Sequence, residues 1–201
     1  MRVLIPYAPD DPKTRLAGVL SPEERETFSE AMLEDVLTCV TEAGHVPRIL
    51  ATRELPAISA PVRVDDRPLS TAINASLDPP MAVVMADMPL VTPGVLSDAF
   101  DRAGDVVIGP GRGGGTNLLV IRDDRFAVDY HGASLVDHRR TAATAGLSVE
   151  EIDSFRIAVD VDEPEDLVEV LLHGEGHAAA WLEAQGFELA ETAGRVVATR
   201  H

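Results

Sequence analysis

Apolar segments alternate with amphipathic ones along this chain, and this order restricts the folds that it can adopt. Residues 81–86 are apolar at every position, as is typical of a central strand covered by helices on both faces. The pattern predicts other strands over residues 2–5, 46–51, 105–109, 117–121, 157–161, 187–189 and 195–199. Helical stretches separate most of them, which indicates an α/β domain with a mixed, mostly parallel central sheet.

Helix starts and stops support the same interpretation. Ser21-Pro22-Glu23-Glu24 combines an N-cap serine, a first-turn proline and a glutamate three residues after the cap. Gly44 is expected to end that helix. Further helices are predicted over residues 69–77, 92–100, 134–145, 164–172 and 177–184.

Length and composition predict one domain, residues 1–201, that is cytoplasmic. No apolar run approaches the roughly 20 residues that cross a bilayer, and Cys39 is the single cysteine, so no disulfide framework is expected. The net charge of −17 argues against nucleic-acid binding. With one lysine among seventeen basic residues, it suggests adaptation to molar salt, which screens charges within about 3 Å at 1 M.

The lone lysine, Lys13, lies in a loop after the first predicted strand, followed by Thr14 and Arg15. A position that keeps lysine in so lysine-poor a chain suggests a need for a compact ammonium, such as one that contacts a phosphate oxygen. The alternative is that a single lysine falls by chance in an exposed loop. The neighbouring residues and the preceding strand favour a functional role.

Three carboxylates follow apolar strands. Asp87 comes directly after residues 81–86, and Asp160 and Asp162 have i, i+2 spacing at the end of the strand predicted at 157–161. Side chains with that spacing share one face of an extended chain, and ligands of open α/β folds bind at the carboxyl edge. Mg²⁺ takes one or two carboxylates together with substrate phosphates. Taken singly, Asp87 could be a turn residue and Asp162 an N-cap.

Two other segments could bind an anion. The loop Gly113-Gly114-Gly115-Thr116 allows close approach of the backbone to a ligand, although it could equally be a flexible hairpin. The segment 130–134 precedes a predicted helix, where Ser134 could serve only as N-cap and His138 could face either the site or solvent. His173 and His177 are interpreted as surface residues, and Trp181 as core or interface packing.

Together these residues fit nucleotidyl transfer, in which an anionic acceptor attacks the α-phosphorus of a nucleoside triphosphate and pyrophosphate leaves. A phosphate-monoester acceptor is already anionic near neutral pH and needs no general base. The absence of a convincing histidine or glutamate base agrees with such an acceptor.

The chain resembles the CofC family, the 2-phospho-L-lactate guanylyltransferases of coenzyme F-420 biosynthesis. The resemblance runs over nearly the whole chain. It rests on Pro6 followed by residues 13–16 (Lys-Thr-Arg-Leu), on residues 86–90 (Ala-Asp-Met-Pro-Leu), on residues 114–117 (Gly-Gly-Thr-Asn), on the stretch 132–138 and on residues 160–167. The Ala-Asp-x-Pro-Leu element also occurs in other GT-A-like nucleotidyltransferases, whereas Lys-Thr-Arg-Leu and Gly-Gly-Thr-Asn together are far more specific.

The resemblance implies a single-domain, GT-A-like, Rossmann-related three-layer sandwich that joins GTP to 2-phospho-L-lactate or to a relative such as phosphoenolpyruvate. It implies that Mg²⁺ is held by Asp87, Asp160 and Asp162, and it suggests a homodimer. Asp87 is also expected to be catalytic, together with Lys13 and Arg15, which bind the triphosphate. The other substrate-binding residues are expected to be Pro6, Thr14, Thr116, Asn117, Gly132 and Ser134.

Two departures from the family pattern leave alternatives open. Leu69 is followed by Ser70 where the family often has Leu-Asn near the base, and the loop before Thr116 carries an additional Gly113. The rival interpretations are a molybdenum-cofactor or sugar-phosphate nucleotidyltransferase, and a non-catalytic nucleotide-binding domain. The three aspartates argue against the second rival.

Overall fold

The computed structural model describes residues 1–192 and 194–200, which are built around one large sheet. Its strands are β1 (Arg2–Tyr7), β2 (Val46–Ala51), β3 (Val62–Val64), β4 (Met81–Val84), β5 (Val106–Pro110), β6 (Thr116–Ile121) and β7 (Val149–Glu151). In the described chain their order is β3-β2-β1-β4-β6-β5-β7. Strand β6 is antiparallel to β4 and β5, while the other neighbours are parallel. The predicted mixed, mostly parallel sheet is confirmed.

The described helices are α1 (Pro22–Glu42), α2 (Leu69–Asn74), α3 (Pro93–Asp101), α4 (Ser134–Ala145), α5 (Phe155–Ala158), α6 (Asp166–His173) and α7 (His177–Ala184). The predicted start of α1 is confirmed, because the Glu24 N–H donates to Ser21 Oγ and the Ser21 N–H donates to the Glu24 carboxylate. Short 3-10 helices occupy Thr14–Gly18 and Arg112–Gly114. No described helix has the length and apolar character needed to cross a membrane.

The sheet is covered on both faces, which gives the three layers expected from the sequence. Alternate residues of β1 point to opposite sides. Val3 and Ile5 share a buried cluster with Val36 of α1, whereas Leu4 shares another with Ile73 of α2. Helix α3 also covers the first face, and α4 covers the second.

A smaller unit packs against the outer side of α1. It consists of α6, α7 and the hairpin β8 (Phe187–Thr192) and β9 (Arg195–Arg200), joined through a third buried cluster. The ring of Trp181 lies 5.0 Å from that of Phe28 in α1, so its predicted packing role is confirmed as packing against this cluster. His173 and His177 are exposed, as predicted.

The strand predicted over residues 157–161 is wrong. Residues 155–158 form the one-turn helix α5, and the chain then runs in extended conformation without pairing in the sheet. Ile157 packs so closely on β5 that a Cβ on Gly109 would lie 2.6 Å from its Cγ2. A short apolar run does not distinguish a buried strand from a buried helical turn by periodicity, which explains the error.

Two short strands, β3 and β7, were not predicted. Each has three residues at an edge of the sheet, which is too short a segment to establish an alternation. The central strand β4 ends at Val84, two residues earlier than expected, so Asp87 lies in the loop after the strand. The position of Asp87 at the carboxyl edge is unaffected.

Candidate active site

The loop before the Thr14–Gly18 helix holds Lys13 in an unusual conformation. Asp11 and Lys13 both have left-handed backbone angles, with φ of 44° and 53°. For residues other than glycine this costs on the order of 1 kcal/mol each, and such strain clusters at functional sites. The buried Arg25 of α1 anchors the loop by donating to the Pro12 carbonyl at 2.7 Å and to Asp11 Oδ1 at 2.8 Å. The fold therefore fixes the direction of Lys13.

The Lys13 ammonium contacts two of the three carboxylates singled out in the sequence. Its Nζ donates to Asp87 Oδ2 at 2.5 Å and to Asp162 Oδ1 at 2.9 Å. The lysine side chain is only 11% exposed, so the alternative that it falls in an exposed loop is wrong. Burial by itself would lower the pKa of Lys13, but the charges and hydrogen bonds of Asp87 and Asp162 outweigh it and raise this pKa above its usual value. The ammonium is therefore charged at neutral pH.

The carboxylates of Asp87, Asp160 and Asp162 converge as predicted, with one oxygen from each lying within 4.8 Å of the other two. The extended segment after α5 reaches this position because the Val161 N–H donates to the Asp87 carbonyl at 3.1 Å. The i, i+2 spacing thus brings the Asp160 and Asp162 side chains to the same place, as expected, although the segment is a loop and not a strand.

The charged groups of this cluster change the pKa values of Asp160 and Asp162. Burial, and then the charge of Asp87, raises the pKa of Asp160. Burial would also raise the pKa of Asp162, but Lys13 and Arg15 lower it below its usual value. Arg15 Nη1 lies 3.1 Å from Asp162 Oδ2 and, unlike Lys13, is largely exposed.

The cluster fits a hard divalent cation such as Mg²⁺. Its donors are carboxylate oxygens, and Asp87 Oδ1 is buried without a hydrogen-bond partner among the described residues. A buried carboxylate oxygen without a partner is costly unless a ligand satisfies it. Asp160 is held in place by the Asn117 amide, which donates to its Oδ1 at 3.2 Å and to the Ile157 carbonyl at 2.9 Å.

A cavity of about 470 Å³ opens beside Lys13. Predicted site residues Pro6, Thr14, Arg15, Asp87 and Asp162 line it together with residues that the sequence analysis did not single out, Thr52, Asp65 and Arg67. The Asp65 carboxylate is 7% exposed and accepts bonds from Arg67 Nε at 2.8 Å and Nη2 at 2.5 Å. Thr52 directly follows the predicted β2, whereas Asp65 and Arg67 follow β3, so locating that strand would have placed these two at the sheet edge.

A β-bulge directs the residues at the start of β6. Leu118 pairs with Gly109 and Thr116 with Pro110, so Asn117 is the extra residue on β6. A bulge changes which face a side chain points to. As a result the Asn117 amide reaches Asp160 on one side of the sheet, while the Thr116 hydroxyl reaches His138 of α4 on the other. The structure gives Asn117 a role in positioning Asp160, and its predicted contact with substrate stays a prediction.

The two predicted anion-binding loops meet beside Thr116. A Cβ built on Gly114 would lie 3.8 Å from that of Ala133, and Gly132 has a left-handed φ of 55°. Ala133 is the N-cap of α4, so Ser134 is its first residue and not the cap. Thr116, Ser134 and His138 are all buried, and His138 therefore faces the protein interior and not solvent.

Solved structures with little sequence similarity share this fold. One from Desulfovibrio desulfuricans, described as a candidate nucleotide-diphospho-sugar transferase, superimposes with a TM-score of 0.76 at 16% identity and covers 92% of this chain and 94% of its own. A nucleotidyl transferase from Methanothermobacter gives a TM-score of 0.59 at 14% identity, with 91% and 98% covered. These likenesses show that the chain shares its α/β fold with these proteins.

Sequence comparison shows which family the chain belongs to. The model of the family "Guanylyl transferase CofC like" matches residues 1–199. The 2-phospho-L-lactate guanylyltransferase of Natronomonas pharaonis is 58% identical over 200 residues, with 100% of this chain and 99% of that protein covered. The enzyme of the same name from Halomicrobium mukohataei is 53% identical over 203 residues, with both chains fully covered. The chain belongs to the CofC-like guanylyl transferase family, which confirms the resemblance in its motifs.

Proposed function

We propose that this protein transfers GMP from GTP to 2-phospho-L-lactate, giving lactyl-2-diphospho-5′-guanosine and pyrophosphate in coenzyme F-420 biosynthesis. The observation that carries the proposal is the convergence of Asp87, Asp160, Asp162 and Lys13 at one end of the cavity. Family membership supports the choice of guanylyl transfer over pterin or sugar-phosphate chemistry.

The triphosphate lies, in this proposal, at the Lys13 end of the cavity. Lys13 and Arg15 supply fixed positive charge, and Pro6 and Thr14 line the same space. Because the Lys13 side chain is buried, its charge acts with little screening. The base occupies the remaining part of the cavity, which Thr52, Asp65 and Leu69 line.

Asp87, Asp160 and Asp162 would hold Mg²⁺. A bound Mg²⁺ supplies charge neutralisation for the phosphates as pyrophosphate departs. Lys13 contacts two of these carboxylates, which places its ammonium at the edge of the same site. Asn117 keeps Asp160 oriented towards the cluster.

The acceptor is held by Thr116, Gly132 and Ser134, with Asn117 close by. Its phosphate carries the attacking oxygen and is already ionised, so these residues bind and orient it without removing a proton. The hydroxyl groups of Thr116 and Ser134 can donate hydrogen bonds to an anionic oxygen. Phosphoenolpyruvate and 3-phosphoglycerate differ from 2-phospho-L-lactate by a few atoms and are the alternative acceptors.

Other features of the proposal come from composition and family. We propose a cytoplasmic, homodimeric, halophilic enzyme. The net charge of −17 supports the halophilic character, because molar salt screens the mutual repulsion of carboxylates. A melting temperature that rises between low and multimolar KCl, and an elution volume that matches a dimer, would support these points.

The decisive experiment is an assay of pyrophosphate release in multimolar KCl with Mg²⁺. GTP is tested against 2-phospho-L-lactate, phosphoenolpyruvate and 3-phosphoglycerate, with a sugar phosphate and a pterin phosphate as rival acceptors. ATP and CTP replace GTP in matched reactions. Release that requires GTP and a phosphorylated carboxylate supports the proposal. Release with a sugar or pterin phosphate alone, or no release with any pair, contradicts it.

A further inference from the structure

His138 is buried at the centre of the described α4 and forms hydrogen bonds with both ring nitrogens. Its side chain is inaccessible to solvent, and the rings of Tyr130 and Phe126 pack against it at centroid distances of 4.9 and 5.9 Å. Nδ1 lies 2.9 Å from Thr116 Oγ1, and Nε2 lies 3.0 Å from the backbone nitrogen of Asp129. The mechanism described so far assigns no role to this residue.

The Asp129 contact determines the tautomer of the ring. A backbone N–H can only donate, so Nε2 must be the acceptor and carries no proton. Burial lowers the pKa of His138 to about 4, with Asp129 and Asp137 opposing that change weakly, so the ring is neutral at physiological pH. A neutral ring with a bare Nε2 carries its proton on Nδ1.

The tautomer in turn determines the direction of the Thr116 hydrogen bond. Nδ1–H donates, and Thr116 Oγ1 accepts. The hydroxyl has one proton of its own, which it cannot give to a nitrogen that is already protonated. That proton has no acceptor among the described residues, and it is therefore left for a ligand beside Thr116, where the loops around Gly114 and Gly132 meet.

We propose that His138 is a positioning residue that turns the Thr116 hydroxyl into a hydrogen-bond donor for an anionic oxygen of the acceptor. The inference rests on the proposed function, because it places the acceptor at Thr116. The hydrogen bonds from the Asp129 N–H to His138, from His138 to Thr116 and from Thr116 to the acceptor all point in one direction. All the protein groups in this series are neutral. When the Thr116 hydroxyl accepts a hydrogen bond, it becomes more polarised. The hydrogen bond that it donates is then stronger.

Two substitutions separate the hydrogen bond to Thr116 from the hydrogen bond to Asp129. In His138→Asn the amide can occupy the place of Nδ1 and donate to Thr116, whereas in His138→Gln the amide reaches the place of Nε2 and serves only Asp129. Both remove the ring, so each is the control for the other. We expect Gln to raise the KM of the acceptor roughly tenfold, the scale of one hydrogen bond, and Asn to raise it clearly less. The KM of GTP should change little in either.

A double-mutant cycle tests whether His138 acts through Thr116. In a Thr116→Val background, His138→Gln should cause almost no further rise in the acceptor KM, because the hydroxyl that it orients is gone. A purely structural role would give additive effects and would raise both KM values together. Equal effects of Gln and Asn, or additivity in the cycle, would overturn the proposal.

Imidazole ¹⁵N NMR of the wild type reads the tautomer without any variant. We expect Nδ1 protonated and Nε2 bare from pH 6 to 8; an Nε2–H or doubly protonated ring would overturn the proposal even if the variants fail to fold. Failure of the proposed function has a different signature. The wild type would then release no pyrophosphate with any phosphorylated carboxylate and bind none in calorimetric titration, and the role of His138 would be overturned with it.

Discussion

The loop that carries Lys13 and the segments that carry Thr116 and His138 both reach the carboxylate cluster, but they are built differently. The Lys13 loop contacts Asp87 and Asp162 through a charged ammonium in a strained backbone. The other side reaches Asp160 through the neutral amide of Asn117, and its histidine is neutral as well. In the proposed function, formal charge is thus concentrated where the triphosphate loses pyrophosphate, and neutral hydrogen bonds act where the acceptor is oriented.

The difference indicates which effects should be large. Charge in a poorly solvated site acts strongly on a reaction in which charge moves, because fixed groups there need no reorganisation. Neutral hydrogen bonds contribute about 1 kcal/mol each and mainly select geometry. Substitutions on the charged side should therefore change kcat, and those on the neutral side should change the affinity for the acceptor.

The largest effect is expected from Asp87→Asn. The change removes a charge from the proposed metal site and leaves the side-chain volume the same, so turnover should fall by about 10²-fold or more. Pyrophosphate release under saturating GTP, acceptor and Mg²⁺ measures this. The matched control is Asp124→Asn at an exposed position away from the cluster, which should keep wild-type activity.

Activity of Asp87→Asn within twofold of wild type would rule out the metal role. Circular dichroism should show an unchanged fold in both variants. If Asp124→Asn lost as much activity as Asp87→Asn, the loss would reflect the total charge of the protein and not the site.

Lys13→Ala should come next, with a loss of about 1.5–3 kcal/mol in kcat/KM for GTP, the scale of hydrogen bonds to charged groups. Lys13→Arg should restore only part, because a planar guanidinium does not replace a compact ammonium between two carboxylates. Because Lys13 is buried between Asp87 and Asp162, its removal should also lower the melting temperature in the absence of Mg²⁺. Added Mg²⁺ should recover most of that loss.

Steady-state kinetics and thermal melting with and without Mg²⁺ check this prediction. Normal GTP kinetics in Lys13→Ala would mean that the single lysine has no catalytic part. A melting temperature that falls equally with and without Mg²⁺ would mean that the ammonium and the metal do not share the carboxylates.

Asp160→Asn should have opposite effects on stability and activity. Because the pKa of Asp160 is raised in the folded protein, its ionisation opposes folding, and stability falls as pH rises above the unfolded pKa. The asparagine removes that cost while still accepting the bond from Asn117. We expect the melting temperature at pH 7 to rise by a few degrees, at about 2–4 °C per kcal/mol, and to match wild type near pH 3, while activity falls.

Melting curves of the two proteins from pH 3 to pH 8 test this directly. A variant that is less stable than wild type at pH 7 would show that the Asp160 carboxylate stabilises the fold. The raised pKa would then be the wrong description of this residue.

The same comparison shows what the sequence could predict. The convergence of Asp87, Asp160 and Asp162 was predicted correctly because carboxylates after apolar segments of an α/β chain collect at one edge. This held even though residues 155–158 form a helix, since the chain only needs to return to that edge in extended form. Lys13 was identified by its rarity, but its burial depends on Arg25 of α1, a contact that no local pattern contains.

The neutral side was harder to predict for a physical reason. The direction of Thr116 and Asn117 depends on a one-residue bulge, and a shift of one residue exchanges the faces of a strand. His138 could not be assigned to the interior or to solvent because the buried face of α4 carries Ser134 and His138 while Val136 is exposed, so apolar periodicity does not mark that face. Asp65 was missed because it follows β3, whose three residues are too few to give a clear periodic signal.

Arg15→Ala should have the smallest effect of this series, and salt separates it from Lys13. Arg15 and Lys13 both contact Asp162, but the arginine side chain is 64% exposed and the lysine 11%. Exposed ion pairs contribute at most about 1 kcal/mol and are screened as ionic strength rises, whereas buried pairs are screened much less. We expect Arg15→Ala to raise the KM of GTP a few-fold at 0.1 M KCl and hardly at all above 2 M, while the Lys13→Ala defect persists at both.

The measurement is the KM of GTP for wild type and both variants over that KCl range. If the two defects declined with salt in parallel, the burial of Lys13 would make no difference to its charge, and the contrast between a shielded and a solvated cation at one carboxylate would be wrong.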